Sequence, residues 1–479
     1  MGILIKKISN LFIGYIVIAT LTGCGAYYSS RFPKIGLASV RDQEIINEKK
    51  VIKTPLARDI KETLPEEETE TFKVHEPAGN ITLSQVLTLV LMKNPVLSVF
   101  SKEIRAREAE IIQAGLLPNP ELHFDSEDLA NDRLRQFGDG PQIISSLSQV
   151  ILLGGKRMKR VIAANLTRDL ATWDYEVQRM NVLTQTSKNF TAMLNAQEKL
   201  DLAKQLMKLA EQVVYVVSKR VERGKTSPVE ETKARVALSS VQVELIQAAQ
   251  EFHAAKKRLA VLWGSTEPKF ERAIGQLREI SPIPSLEQLT QLIHQNPDLA
   301  RWTTELAQRK AIVDLEKSEA IPDITVSIGD VLYPGPGDGN PSTNANGLAA
   351  GISIPLPVFN RNQGDILAAH HRLAKAKEAQ YAARVQIVSD LSTAYQELAS
   401  ARAEAIILNT QTVPGAQSAF DAATRGFRLG KFDFLSVLNA QQTLFDSKAK
   451  YLQALTEYHQ SIAEVERLIG DRLEVAIHL

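Results

Sequence analysis

Arg428-Leu429-Gly430-Lys431-Phe432-Asp433 and the earlier Arg223-Gly224-Lys225-Thr226-Ser227 are short breaks between unusually long helical patterns. Glycine lets a helix stop in a left-handed turn without a steric penalty, so each break predicts the tip of a helical hairpin. After the first tip, Ser227-Pro228-Val229-Glu230 places an N-cap Ser, a Pro at the first helical position and a capping-box Glu. After the second, Asp433 holds the place of Ser227. The tips lie 206 residues apart (430 minus 224), and a fixed offset of this kind predicts an internal duplication.

Working outward from the tips, the order of patterns repeats. In the first copy Leu83 to Lys93 reads as a short helix, and Asn94-Pro95 starts another that ends at Gly115, ahead of Pro118 and Pro120. Glu121-Leu122-His123-Phe124-Asp125 alternates polar and apolar, and with Ile143 to Leu153 it predicts a β-hairpin with a long loop. Leu153-Gly154-Gly155-Lys156-Arg157 then returns to a helix reaching about Glu222, roughly 65 residues or about 100 Å long. Leu202, Leu206, Leu209, Val213 and Val216 step by four and three along it, which is coiled-coil spacing.

The second copy follows Pro282 and Pro284. Asn296-Pro297 repeats Asn94-Pro95, and Ile321-Pro322 repeats Leu117-Pro118. Ile324, Val326 and Ile328 alternate with polar or small residues, and Leu348 to Ile354 forms a returning strand. The helix toward Leu429 contains Pro414-Gly415, which predicts a local break in its hydrogen bonding. Leu468-Ile469-Gly470 mirrors Leu262-Trp263-Gly264, and Glu457-Tyr458-His459 mirrors Glu251-Phe252-His253.

At the N-terminus Lys6 and Lys7 precede an apolar run, Ile8 to Ala19, that is too short to span a bilayer and reads as an export signal. It ends in Leu21-Thr22-Gly23-Cys24, which resembles the bacterial lipoprotein box and makes Cys24 the expected lipidation site. As the only cysteine, Cys24 leaves no internal disulfide. The stretch from Gly25 to Asn80 shows no apolar period and carries the acidic run Glu66 to Glu70, as expected of a solvated linker. The expected division is a signal peptide at 1–23, a lipidated N-terminus and linker at 24–80, and repeats at 81–280 and 281–472.

Lys plus Arg (56) nearly balance Asp plus Glu (55), which gives no basic face for a nucleic-acid partner. Gly154-Gly155-Lys156 lacks the spacing of a phosphate loop, and the Gly-rich Tyr333 to Asn340 precedes no helix. No nucleophile-base pairing stands out, so neither an enzyme nor a cofactor is expected. The four alternating strands are too few for a membrane barrel, which needs about eight. Strands that enter lipid must therefore close with strands of other chains.

The duplicated order, with Gln113-Ala114-Gly115-Leu116-Leu117-Pro118-Asn119-Pro120-Glu121-Leu122 and Leu153-Gly154-Gly155-Lys156-Arg157, resembles the TolC-like outer-membrane efflux family. Within it the chain looks closest to the heavy-metal-cation, CzcC-like branch. The resemblance covers about Ile81 to Gly470. It implies a mainly α chain with a β-barrel portion: a homotrimer sharing a twelve-stranded outer-membrane barrel above a periplasmic coiled-coil tunnel. It also implies a passive exit duct for metal cations, docked on a periplasmic membrane-fusion adaptor and, through it, an inner-membrane proton-driven (RND) pump. Drugs or other small solutes are the alternative cargo. A lipid-anchored coiled-coil scaffold is the competing architecture, and an envelope hydrolase a third reading.

By this resemblance Arg223, Gly224, Lys225, Leu429, Gly430 and Lys431 face the adaptor. Family members often carry an Asp ring just inside the second tip, where this chain has Ser436 and Asn439. Glu230 and Glu231 are the alternative gate, Glu230 also being the capping-box residue. His253 and His459 fall at one level of the repeat and are read as duplicated packing, with a metal site as the alternative.

Overall fold

The computed structural model describes residues 76–127, 142–333 and 345–473. The export signal, Cys24, most of the linker and the two predicted hairpin loops lie outside them. The first copy runs β1 (Gly79–Thr82), α1 (Leu83–Lys93), α2 (Pro95–Ala114), β2 (Glu121–Glu127), β3 (Gln142–Ile151), α3 (Lys156–Glu222) and α4 (Pro228–Ala260). The second runs β4 (Phe270–Ile274), α5 (Leu286–Leu292), α6 (Pro297–Glu319), β5 (Ile324–Tyr333) and β6 (Ala345–Ser353), then α7 (Gln363–Ile407), α8 (Val413–Arg428) and α9 (Phe434–Ile469).

The duplication extends to the caps. Thr82 with Gln85 and Ser285 with Gln288 form reciprocal capping boxes at α1 and α5. Asn94 and Asn296 cap α2 and α6 through their Oδ1 atoms, accepting from Leu97 and Asp298. The same two side chains donate Nδ2 to the carbonyls of Leu262 and Leu468, at 2.8 and 2.9 Å. Each Asn thus ties the start of one helix to the end of the returning helix of its own copy. Gly264 and Gly470 turn the chain away just beyond, at φ of 79° and 75°.

Two short strands escaped the sequence reading: β1 and β4 pair in parallel as a separate sheet. Beside them lies a core in which Val86 and Leu89 of α1 meet Phe190, Met193, Leu259, Trp263 and Leu455. A second core gathers Leu289 and Leu292 of α5 with Leu391, Leu398, Tyr458 and Val465. A third, at the tips, joins Val217, Ala234, Phe427, Phe434 and Val437. Full burial of such side chains contributes about 1.5–3 kcal/mol each.

The four hairpin strands form one antiparallel sheet in the order β2-β3-β5-β6. The register places Leu122, Leu147, Ile328 and Ala350 in one row and Phe124, Ser145, Asp330 and Leu348 in the next. One face is therefore largely apolar and open: Leu122, Phe124, Ile143, Leu147, Val326, Ile328, Leu348 and Ile352 are 39–80% exposed. The other is mixed: Glu121, His123, Asp125 and Glu127 on β2, Ser146 and Ser148 between Ile144 and Val150 on β3, Thr325, Ser327, Gly329, Val331 and Tyr333 on β5, and Ala345, Gly347, Ala349, Gly351 and Ser353 on β6. This more polar face has no Lys or Arg among the described strand residues.

The break predicted at Pro414 is a π-helical turn over Leu408–Thr412, just ahead of the proline. Pro414 has no N–H for the carbonyl of Thr410, and the wider turn absorbs that missing bond. The equivalent part of the first copy is the uninterrupted 67-residue α3.

Candidate functional site at the hairpin tips

Both tips end their helices in the same way. Gly224 and Gly430 are left-handed, with φ of 64° and 72°. Lys225 N–H donates to the carbonyl of Arg220 and Gly224 N–H to that of Val221, both at 2.9 Å. Lys431 donates to Gly426 at 2.8 Å and Gly430 to Phe427 at 3.0 Å. These are paired Schellman motifs, and they satisfy carbonyls that a helix end leaves open. A Cβ at either glycine would meet nothing within 4 Å, so the backbone dihedral alone demands glycine there. Arg223, Gly224, Lys225, Leu429, Gly430 and Lys431 are all exposed.

Gly426 answers a different need. A Cβ there would lie 2.2 Å from the Phe432 ring, which folds back over the end of α8. Opposite it, Arg220 of α3 holds the two hairpins together. Its Nη1 donates to the Phe427 carbonyl at 3.0 Å and its guanidinium lies 4.5 Å from the Phe427 ring centroid. Neither Gly426 nor Arg220 carried a sequence signal, since a helical Gly and a helical Arg fit many roles.

The structure gives three of the four gate candidates, Glu230, Glu231 and Ser436, a side-chain partner. Ser227 caps α4 by accepting from Val229, and the capping-box bond expected from Glu230 is not made. The Glu230 carboxylate instead accepts from the Thr226 hydroxyl, a nearer donor. Glu231 accepts from Arg235 at 2.6 Å and from Ser218 at 2.8 Å, and these bonds hold its carboxyl below the usual range. Asp433 caps α9 as expected, and Ser436 bonds to it through both hydroxyl and N–H, lowering the Asp433 pKa.

Asn439 lines an apolar groove of about 630 Å³ between α4 and α9, floored by Leu206, Ala210 and Val213 of α3. Glu244, also in this groove, has its pKa raised by burial and then by Asp446 of α9. The structure thus brings Asn439 toward α4 and ties Glu231 to Ser218 of α3, while Glu230 and Ser436 stay with their own helix ends.

His253 and His459 take different environments. His253 packs edge-on against Phe252, whereas His459 packs against Tyr458 and bonds through Nε2 to the Leu277 carbonyl at 2.9 Å. Burial pushes the His459 pKa down. Tyr458 OH accepts from Ser281 N–H and donates to the Ser281 carbonyl, so the pair pins the segment joining the copies. Among the described residues no three His, Cys, Asp or Glu side chains are grouped to hold a metal ion. No single described helix is long and apolar enough to cross a membrane.

The family model described as outer membrane efflux protein matches residues 86–265 and 289–471. Among curated proteins, the cobalt-zinc-cadmium resistance protein CzcC of Cupriavidus metallidurans is 36% identical over 395 residues, covering 82% of this chain and 91% of that protein. Among solved structures, that of CusC superposes with a TM-score of 0.67 at 16% identity, covering 84% of this chain and 96% of CusC. VceC of Vibrio cholerae gives 0.65 at 17%, covering 82% and 96%. Duplicated β-hairpins, long helical hairpins and matched tips therefore have one explanation: the chain belongs to the outer membrane efflux protein family.

Proposed function

We propose that this protein is the outer-membrane exit duct of a tripartite efflux system and that its cargo is heavy-metal cations. The observation that carries the reading is the sheet, with one open apolar face, one more polar face, and unpaired edges at β2 and β6. In lipid each unpaired backbone group costs several kcal/mol, so the edges call for strands from other copies. Three copies of a four-stranded sheet make a twelve-stranded barrel with its apolar face to lipid and its polar face to the bore.

Charged helices such as α3 and α7 suit an aqueous compartment, and three copies would enclose a tunnel there. In this reading the repeats occupy 81–280 and 281–472, joined by the 24–80 linker to a lipid on Cys24, with 1–23 removed on export. The exposed tip residues, Arg223, Gly224, Lys225, Leu429, Gly430 and Lys431, are the seat of a membrane-fusion adaptor coupled to an inner-membrane RND pump. The Arg220–Phe427 link holds the tips closed, and the π-helical turn beside Pro414 gives the second hairpin a place to bend.

Metal cargo draws support from the similarity to CzcC, a cobalt-zinc-cadmium resistance protein, and from the carboxylates and imidazole of β2 on a face without Lys or Arg among the described strand residues. The duct supplies no chemistry, and its partners supply the energy. The test is the native mass of protein extracted from separated membranes, together with metal tolerance of a strain lacking its own duct. A trimer from the outer membrane that restores cobalt, zinc or cadmium tolerance supports the reading. A monomer released without detergent would overturn it, and a trimer that restores drug tolerance alone would overturn the cargo.

A further inference from the structure

On the more polar face of the sheet, β2 places Glu121, His123, Asp125 and Glu127 at every second position. Strand residues two apart project to the same side with their Cα atoms about 7 Å apart, a gap that long side chains can close. The first two close it: His123 Nε2 lies 3.5 Å from Glu121 Oε2. The same nitrogen lies 3.1 Å from the hydroxyl of Ser148 on β3, which is 7% exposed and stands opposite Glu121 in the register. With Nε2 unprotonated, that hydroxyl donates to it, so the neighbouring strand holds the imidazole beside the carboxylate.

At 3.5 Å the pair is longer than a charge-assisted N–H···O bond, which closes to about 2.7–2.9 Å. Two ligands on one tetrahedral zinc ion, with bonds of about 2.0–2.1 Å, stand about 3.3–3.4 Å apart. Glu121 and His123 thus have nearly the spacing of adjacent ligands on one ion. Their side chains are 69% and 48% exposed, so water has access to complete the coordination shell. The imidazole sets the class of cation: magnesium and calcium take oxygen ligands, whereas a nitrogen ligand suits zinc and its first-row neighbours. No Lys or Arg among the described strand residues shares this face to neutralise the carboxylate.

We propose that Glu121 and His123 form a two-ligand site for a divalent transition cation on the bore side of the sheet, with Ser148 orienting the imidazole. This rests on the shared-barrel, metal-cargo reading and names where within it the cation is held and by which atoms. Glu121 opens β2, so the site lies where the sheet meets the helices, and Asp125 and Glu127 continue the column of carboxylates along the strand. Among the described residues no third His, Cys, Asp or Glu joins the pair. Two ligands suit a duct, because the three or four protein ligands of a resident metal would retain the cargo, whereas conduction needs binding weak enough to release it.

The test uses the purified full-length channel in planar bilayers. Potassium chloride current is recorded as zinc chloride is added, with magnesium chloride at the same concentrations as the control. Zinc is expected to lower the wild-type current at concentrations where magnesium does not. His123→Gln should raise the half-blocking zinc concentration about tenfold or more, and Glu121→Gln should shift it in the same direction. His123→Cys keeps a metal-binding side chain and should retain the block, which separates a lost ligand from a damaged barrel. Glu127→Gln removes the same charge at the far end of β2, where its carboxylate accepts from Gln142 at 3.0 Å, and should leave the half-blocking concentration close to that of wild type.

Equal zinc block in wild type and His123→Gln, or equal effects of zinc and magnesium on wild type, would overturn the site and leave the duct standing. A shift in Glu127→Gln as large as that in Glu121→Gln would assign the block to diffuse negative charge and overturn the site equally. A monomeric chain that forms no channel would overturn the duct and the site with it.

Discussion

Asn94 reaches across 168 residues of sequence to donate its Nδ2 to the Leu262 carbonyl while its Oδ1 caps the helix that follows it. One buried side chain thus satisfies a helix start and a helix end. Asn94→Ala loses an N-cap worth about 1 kcal/mol. It also leaves the Leu262 carbonyl without this partner, at about 1–3 kcal/mol if water does not replace it. Asn296→Ala is expected to act alike through Leu468. Unfolding of each variant in detergent, followed by circular dichroism, measures the loss. Equal stability of wild type and either variant would contradict the double role.

At the second tip the dihedral of Gly430, not crowding, sets the residue. Gly430→Val is expected to cost about 1–2 kcal/mol locally, since a left-handed conformation penalises a β-branched side chain. Gly430→Asn is expected to cost much less. Metal tolerance should fall with Val and persist with Asn, while native mass stays that of a trimer in both. Loss of the trimer in the Val variant would assign this residue to assembly of the copies instead of to docking at the tip.

Arg220→Met removes both the bond to the Phe427 carbonyl and the contact with its ring. The expected weakening is about 1–3 kcal/mol, shared between them. If this link holds the tips together, purified variant channels in planar bilayers will conduct more than wild type at the same salt concentration. Unchanged conductance would assign Arg220 to stability alone.

Pro414→Ala supplies an N–H that the Thr410 carbonyl can accept. The π-helical turn at Leu408–Thr412 should then tighten toward an α-helix, with slower amide hydrogen exchange across it. Transport should fall if the second hairpin bends here. Faster exchange, or exchange like that of wild type, would show that the proline does not impose the turn.

His459 gives a pH signature of known sign. Burial holds its folded pKa below the ordinary value of about 6.5, so the unfolded state binds the proton more readily. Stability is therefore full above about pH 6.5 and is lost as pH falls from there through the folded value. His459→Gln retains a donor for the Leu277 carbonyl and should lose less stability between about pH 7 and pH 5 than wild type. Parallel melting curves of the two proteins over that range check it.

The parts legible in the sequence were those with strong periodicity or punctuation. The clean alternation of Ile324 to Ile328 became β5, and Asn94-Pro95 with Asn296-Pro297 became true helix starts. The short strands β1 and β4 were not legible. Gly79–Thr82 and Phe270–Ile274 are ordered by pairing across just over 190 residues, which no local pattern encodes. Glu230 misled for a related reason: the Thr226 hydroxyl offered its carboxylate a closer donor than the backbone of Ser227. Arg220 and Gly426 declared themselves only through the Phe427 and Phe432 rings that the fold sets beside them.

The helix α3 runs 67 residues without interruption, about 100 Å, and its tip meets that of the second hairpin at Arg220 and Phe427. The two hairpins therefore act as rulers that must read the same. About seven residues added to α3 and α4 alone would carry Gly224 about 10 Å past Gly430 and part Arg220 from its ring. Length changes in this body are tolerable only as matched pairs. Relatives that reach across deeper or shallower compartments should differ by equal insertions or deletions in all four arms, at places related by the repeat.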